Sequence, residues 1–498
     1  MKNETNGRGL RATLMSALVM GGALTYVSGC GNEDETVDPP VNPPAQQEDA
    51  GTGNPTDAGT DAGTGTGSTT VDSNLAIVRF TTTGALDTTY GTGGISRVDL
   101  GPSGTSTRDS LWGAARDATD RVVLFGSKKG DGERIDADRV VVRLTPSGAL
   151  DESFATKGVH TLNLANLGDQ ARNGIVQPDG KIVASGYVSQ PTGVGTQSAN
   201  AIVLLRLSDT GTADLTFGSK GVVNSSPLKS ADPENVEWGF AEAYGAALQS
   251  TGKYVTTGYG RPGASGGLDL VAFRYNADGK RDLSWGTSGS VLMDLGVGDE
   301  RGRNLAVLKD DRVFMTGSGT RSAGNVDAMV VMFTPDGKPD TAFNADPAGY
   351  KIYDFGRADE AFFGAAVSPD GKWVAAAGHR SGGTGQNDDA ILFIAPVNPA
   401  DGSVFAQPVV LSATANDRFL AVAFDASNKV YASGFITENG DNSMVVARFN
   451  TNGTPDTTFG TNGVAKVNVV VGKTEEVARG LVIQSDGKIV LAGPAEAK

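Results

Sequence analysis

Seven imperfect copies of a unit of roughly 60 residues occupy most of this chain, and that self-similarity limits its fold more than any other feature. One landmark is an alternating apolar strand that usually ends in Arg and an aromatic or Leu. It recurs at Leu75–Phe80, Arg139–Leu144, Ala201–Leu207, Asp269–Tyr275, Ala328–Phe333, Ala390–Ile394 and Met444–Phe449. A second is a hairpin, clearest at Gly174–Gly186, where Pro178-Asp179-Gly180-Lys181 turns between two short strands. Its equivalents centre on Asp120-Arg121, Gly252-Lys253, Asp310-Asp311, Asp370-Gly371, Asn428-Lys429 and Asp486-Gly487. After most copies of the first landmark comes Gly, then Asp, then an aromatic and Gly, as in Gly84, Asp87, Tyr90, Gly91 and again in Gly211, Asp214, Phe217, Gly218 and Gly453, Asp456, Phe459, Gly460.

These landmarks resemble the bacterial delta-60 repeat family from Asn74 to Gly493, and the resemblance implies propeller-like β structure without implying an activity. The sixth copy departs most, because Asn398 to Phe405 lacks the Asp. Each unit reads as four strands: the hairpin pair A and B, the alternating strand C, and a short strand D such as Val159–Leu164, Ser290–Leu295 or Val464–Val470. Four antiparallel strands per unit predict an all-β, seven-bladed β-propeller, where the rungs of a β-solenoid would be shorter and lack the hairpin. The register at the ends predicts closure. The repeats begin with C and D and stop after A and B, so the N-terminal pair completes the C-terminal one and leaves no open sheet edge. Antiparallel order then puts the A–B and C–D turns on one face, and the variable B–C and D–A loops on the other, where function is expected.

The first 73 residues differ in kind. Lys2, Arg8 and Arg11 precede a short apolar stretch, Leu14 to Ser28, which suits a signal-peptide core better than a membrane span. It ends in Val27-Ser28-Gly29-Cys30, and Cys30 is the only cysteine. This resembles the lipobox of bacterial lipoproteins, which implies cleavage after residue 29, lipidation of Cys30 and a cell-envelope location. Gly31 in the next position favours the outer membrane within that family. Residues 31–73 hold nine acids and no Lys or Arg among Pro, Gly and Thr, so with Cys30 they read as a disordered tether reaching roughly 35–40 Å. The ordered domain is expected over 74–498.

That tether carries nine of the chain's fifteen net negative charges, so the acidity says little about the repeats. Without clustered Lys and Arg, nucleic acid is excluded as a partner. One Cys rules out an intrachain disulfide, and two His leave little for a transition-metal site.

Candidate site residues gather ahead of strand A. Acids recur there in every unit, including Asp109, Asp169, Glu242, Glu300, Glu360, Asp417 and Glu476, together with Arg172, Arg301, Arg303, Arg418, Arg479 or the aromatics Trp112, Tyr244, Phe362, Phe363 and Phe419. Strand A should line the channel, so these residues predict a polar and aromatic rim for a sugar, peptide or cation. Alternatively the acids bind Arg or backbone N–H groups and lock blade to blade, which is what their presence in every repeat favours. Trp112, Trp238 and Phe362-Phe363 break the pattern and are the first places to look for ligand contacts. Asp131, Glu133, Asp136 and Asp138 make an oxygen-rich loop that is the candidate for calcium, although its spacing is not that of an EF-hand. His379, in a B–C loop, is a candidate binding or acid–base residue, although a lone His beside Arg is more often a surface residue, and His160 reads as part of a D strand. No nucleophile elbow, phosphate loop or dinucleotide fingerprint stands in its required context. The expected function is a monomeric, non-catalytic envelope module that binds a protein or glycan and needs no cofactor. An enzyme acting on a glycan or small ester at the channel mouth, and a purely structural surface protein, are the alternatives.

Overall fold

The computed structural model describes residues 72–496, apart from 102–108, 133, 135, 165–167, 192–197, 227–238, 262–266, 297, 323, 345–349, 383–386, 399–402, 412–414 and 473–474. The expected signal segment, Cys30, most of the tether, Trp238 and Glu133 lie outside the described residues.

Seven four-stranded antiparallel sheets form the seven blades of a β-propeller. From the inside outward, blade 2 is A (Ser110–Arg116), B (Val122–Lys129), C (Ala137–Leu144) and D (Val159–Leu162). The other A strands are Asp169–Val176, Phe240–Leu248, Glu300–Val307, Glu360–Val367, Asp417–Phe424 and Gly480–Ile483, and each touches the next around the ring. Strands B and C are almost wholly buried because both faces are covered by neighbouring blades, hence continuous runs such as Val140-Val141-Val142. D strands are shorter than the sequence suggested, four residues in most blades.

Blade 1 closes the ring as expected. Its C strand, Ser73–Phe80, pairs along its whole length with the C-terminal B strand, Ile489–Glu496, from Ser73↔Glu496 to Phe80↔Ile489.

The Gly-Asp-aromatic-Gly motif joins one blade to the next. Arg79, near the end of strand C, holds Asp87 of its own blade at 2.9 Å and donates to the Pro146 carbonyl of blade 2 at 2.7 Å. The same arrangement recurs as Arg143–Asp151, Arg206–Asp214, Arg274–Asp282 and Arg448–Asp456, with ion-pair distances of 2.8–3.0 Å. Each guanidinium also lies over its motif aromatic, 4.6 Å from the Tyr90 centroid and 4.5 Å from that of Phe154. That aromatic sits under the motif glycine of the following blade. A Cβ on Gly148 would meet the Tyr90 ring at 2.8 Å, and Gly148 also has a φ of +91°, so no other residue fits there without strain. Phe459 of blade 7 lies likewise beneath Gly84 of blade 1, and the Gly460 N–H donates to the Thr83 carbonyl, so the repeat contact crosses the seam unchanged.

Blades 5 and 6 vary this plan. Met332 stands where five blades have Arg, and Arg312 from the A–B turn takes over, reaching Asp340 at 3.1 Å. In blade 6, which lacks the motif Asp, Phe405 at the start of strand D packs beneath Gly453 and replaces the motif aromatic.

Candidate functional site

Six of the seven A strands carry a β-bulge near their start, and the bulged residues compose the inner wall near one end of the channel. The register skips one residue between Leu111 and Gly113, Ala171 and Asn173, Ala243 and Gly245, Gly302 and Asn304, Phe362 and Gly364, and Phe419 and Ala421. The residues left over are Trp112, Arg172, Tyr244, Arg303, Phe363 and Leu420, and Arg479 holds the same place ahead of Gly480. A bulge turns one side chain out of the alternation, which is how an inner strand can aim a group at the channel axis. The facing residue of strand B is always Gly. A Cβ on Gly186 would stand 1.9 Å from the Gln170 carbonyl oxygen, and Gly126, Gly258, Gly317, Gly378, Gly434 and Gly493 are equally confined.

Cation and aromatic alternate along this belt from Arg479 to Phe363, and Leu420 interrupts them. Arg479 and Arg172 lie on the Trp112 ring, each 3.9 Å from its centroid. Arg172 then approaches Tyr244 at 4.9 Å, Tyr244 meets Arg303 at 5.1 Å, and Arg303 meets Phe363 at 5.1 Å. Phe363 stacks in turn on His379, centroid to centroid 5.2 Å. Donors predominate. Among the described residues, Trp112 Nε1 and Arg172 Nε and Nη1 are buried and take no hydrogen-bond partner, and Arg172 makes no ion pair. Burial opposes the Arg172 charge, but the phenols of Tyr244 and Tyr187 and the Glu242 carboxylate more than offset it, so the guanidinium stays protonated.

The acids ahead of strand A take the blade-locking role that their presence in every repeat favours, and do not form a rim. Asp109 is 1% exposed, and its Oδ2 accepts the Leu100 N–H at 2.7 Å. Glu360 accepts the Phe355 and Arg357 N–H groups at 2.7 and 2.8 Å, and Glu476 takes those of Val469 and Val470. In each case a carboxylate at the start of one blade caps backbone at the end of the previous D strand. Glu242 stands one position later and accepts instead from Asn200 Nδ2 at 2.6 Å. Burial, only partly offset by the backbone N–H bonds, pushes Asp109, Asp169, Glu300 and Glu360 up to about 7.

Other candidates are redistributed. Phe362 and Phe363 separate, Phe362 entering the core between blades with Tyr353 and Phe393 and Phe363 joining the belt. Phe419 is likewise core. His379 is not in a loop. Strand B runs past Gly378 to pair with both neighbours, so His379 sits opposite Ala361 and Ala390 and is 4% exposed. Burial first, then Arg418 and Arg303, hold its pKa well below the usual range, so it is neutral. His160 does lie in strand D and bonds the Gly211 carbonyl of the next blade through Nδ1, 3.0 Å. The proposed calcium loop is neutralised by its own bases: Asp131 pairs with Lys128, and Arg134 holds Asp136 at 3.0 Å and Asp138 at 2.5 Å.

Two segments, residues 177–217 and 426–459, match a family model described as a domain of unknown function (DUF5122) β-propeller. Both run from an A–B turn through strands B and C to the motif aromatic. No curated protein matches the sequence. Several solved structures resemble the fold. A catalytically inactive virginiamycin B lyase from Staphylococcus aureus with quinupristin has 12% identity, covering 79% of this chain and 97% of that one, TM-score 0.41. The periplasmic gluconolactonase of Pseudomonas aeruginosa has 13% identity, covering 81% and 98%, TM-score 0.42. Drosophila Semaphorin 2a has 10% identity, covering 77% and 74%, TM-score 0.40. Two enzymes and a semaphorin among them say nothing of what this chain does.

Proposed function

We propose that the propeller is a non-catalytic binding module whose belted channel end takes an anionic glycan of the uronate type. One observation carries this reading: three buried donors, Trp112 Nε1 and Arg172 Nε and Nη1, face the channel wall with no acceptor of their own. Sugar rings lie flat on aromatics such as Trp112 and Tyr244, and a planar carboxylate matches the guanidinium fork. A hydrolase working through paired carboxylates fits less well, because the described rim acids bind backbone, or Asn200 in the case of Glu242, and do not converge on the channel. In the same proposal, residues 1–73 export the chain and tether it through lipidated Cys30, and Cys30→Ala abolishes lipid labelling and membrane retention.

Titration calorimetry of the full chain with oligogalacturonate and with neutral dextran of equal length tests the ligand class. Binding is expected for the first alone, and Arg172→Gln should weaken it by about 10- to 100-fold, as loss of a charge-assisted bond implies. Equal binding of both polymers, or an unchanged affinity in a folded Arg172→Gln protein, would refute the reading.

A further inference from the structure

Among the described residues, the junctions that follow blades 4 and 5 differ from those after blades 1, 2, 6 and 7 in how their carboxylates are balanced. Three positions meet at each junction: the first residue of the strand C core, the residue closing strand D, and an early residue of the next strand A. After blade 4 these are Asp269, Asp294 and Glu300, and after blade 5 they are Asp327, Asp354 and Glu360. Within each set, one oxygen from every residue lies within 4.8 Å of the others. Elsewhere an amide or hydroxyl replaces a carboxylate, as Asn74 does in blade 1, Asn163 in blade 2, and Ser443 with Asn468 in blade 7. Blade 6 keeps Asp389 but sets Arg380 on it at 2.7 Å.

No base offsets the first set: among the described residues, Asp269, Asp294 and Glu300 make no ion pair, and Asp269 accepts no hydrogen bond. Glu300 is fully buried. Its Oε2 accepts the Leu295 N–H at 3.2 Å, while Oε1 takes no partner, the Thr320 N–H favouring the ionised form without meeting hydrogen-bond geometry. In the second set Asp327 is also fully buried. Its Oδ1 accepts from Asn325 at 3.1 Å, and Oδ2 makes no hydrogen bond and has only the exposed Arg321 at 3.8 Å.

We propose that each of these two junctions binds one calcium ion, which ties the outer strands of one blade to the inner strand of the next. An oxygen separation of up to 4.8 Å is what two ligands on opposite sides of an ion span at about 2.4 Å, the calcium distance. Magnesium, at about 2.0–2.1 Å, spans only about 4.2 Å and holds its waters more tightly. Water fills the remaining positions. Burial and the neighbouring Asp294 and Asp299 charges push Asp269 up to about 6, the repulsion a cation would relieve.

Calcium uptake by the full chain, stripped with chelator and measured by equilibrium dialysis, tests the assignment. Wild type should take up two ions above a background set by the acidic tether, Asp269→Asn one, and Asp269→Asn/Asp327→Asn none. The substitutions remove a repelling charge, so the ion-free variants should melt no lower than ion-free wild type. At a calcium concentration about 100-fold above Kd, each intact site should raise Tm by about 3 °C. The proposal falls if wild type binds no more calcium than the double variant, or if magnesium raises Tm as much as calcium does.

Discussion

Arg143→Met removes one side of a buried pair while keeping most of the side chain's apolar volume. Arg143 and Asp151 are only 3% and 10% exposed, 2.8 Å apart, and Arg143 also bonds the Asp209 carbonyl of the next blade. Asp151 keeps its Ser153 hydrogen bonds and the more distant Arg121, but loses its nearest positive charge. Breaking such a pair from one side costs about 3–5 kcal/mol, mostly because a charge is left buried without compensation. For a domain spanning about 425 residues the unfolding entropy is about 0.9 kcal/mol/K, so Tm should fall by about 3–6 °C. Arg143→Met/Asp151→Asn removes the stranded charge and should recover about half of that loss. Scanning calorimetry of wild type, both single variants and the double variant closes the cycle. The exposed pair Lys280–Asp278 is the control, and Lys280→Met should leave Tm unchanged. A shift below about 1 °C for Arg143→Met, or a double variant as unstable as the two singles added together, would refute the clamp as described.

In chelator, the buried carboxylates set the pH profile. Asp109, Asp169, Glu300 and Glu360 have folded values of about 7, above the ordinary carboxylate range, so the native state holds protons that the unfolded chain has released. Their contribution is greatest below about pH 4 and is lost as pH rises to 7, whereas Asp87, held at about 2, stabilises above pH 4 and fails in acid. Tm should therefore peak near pH 4 and fall towards pH 7, and a steady rise from pH 5 to 8 would contradict this. Phe459→Ala, at the seam, should cost about 3–5 kcal/mol and speed hydrogen exchange in Ser73–Phe80, whereas Phe154→Ala should cost as much and leave that strand protected. Gly186→Ala forces the Gln170 carbonyl away and should cost about 1–3 kcal/mol. Because that carbonyl frames the bulge carrying Arg172, oligogalacturonate binding should weaken with it, and normal affinity in this variant would separate the bulge from the site.

Strand count, blade count and ring closure were legible because they rest on alternation and on the order of landmarks, both properties of the sequence. The belt was legible only as a neighbourhood. Alternation cannot show which residue a bulge leaves over, so Phe362 and Phe363 read alike, although one is core and the other channel wall. A signal was present in the paired glycines, Gly364 after the bulge and Gly378 opposite it. His379 was misplaced because Gly378-His379-Arg380-Ser381-Gly382 has loop composition, yet pairing on both sides keeps it in a strand. The acids were placed correctly along the chain, but their direction depends on where the preceding D strand ends, which short, weakly patterned strands do not reveal. The junction carboxylates were hidden for a related reason, since Asp269, Asp294 and Glu300 come together only across two blades.

The seam between Ser73–Phe80 and Ile489–Glu496 also fixes the timing of folding. Strands near the N-terminus must wait, unpaired on one side, until the last ten or so residues of the chain arrive. Closing a loop of more than 400 residues costs about 5 kcal/mol in entropy, which the eight paired positions of this register must exceed. Blades 2 to 7 each draw all four strands from one continuous stretch and can form locally and quickly. Blade 1 is therefore the slow, topologically distant step. A chain that loses its final strand keeps six intact blades but exposes two unpaired sheet edges, and such a product is expected to associate with copies of itself.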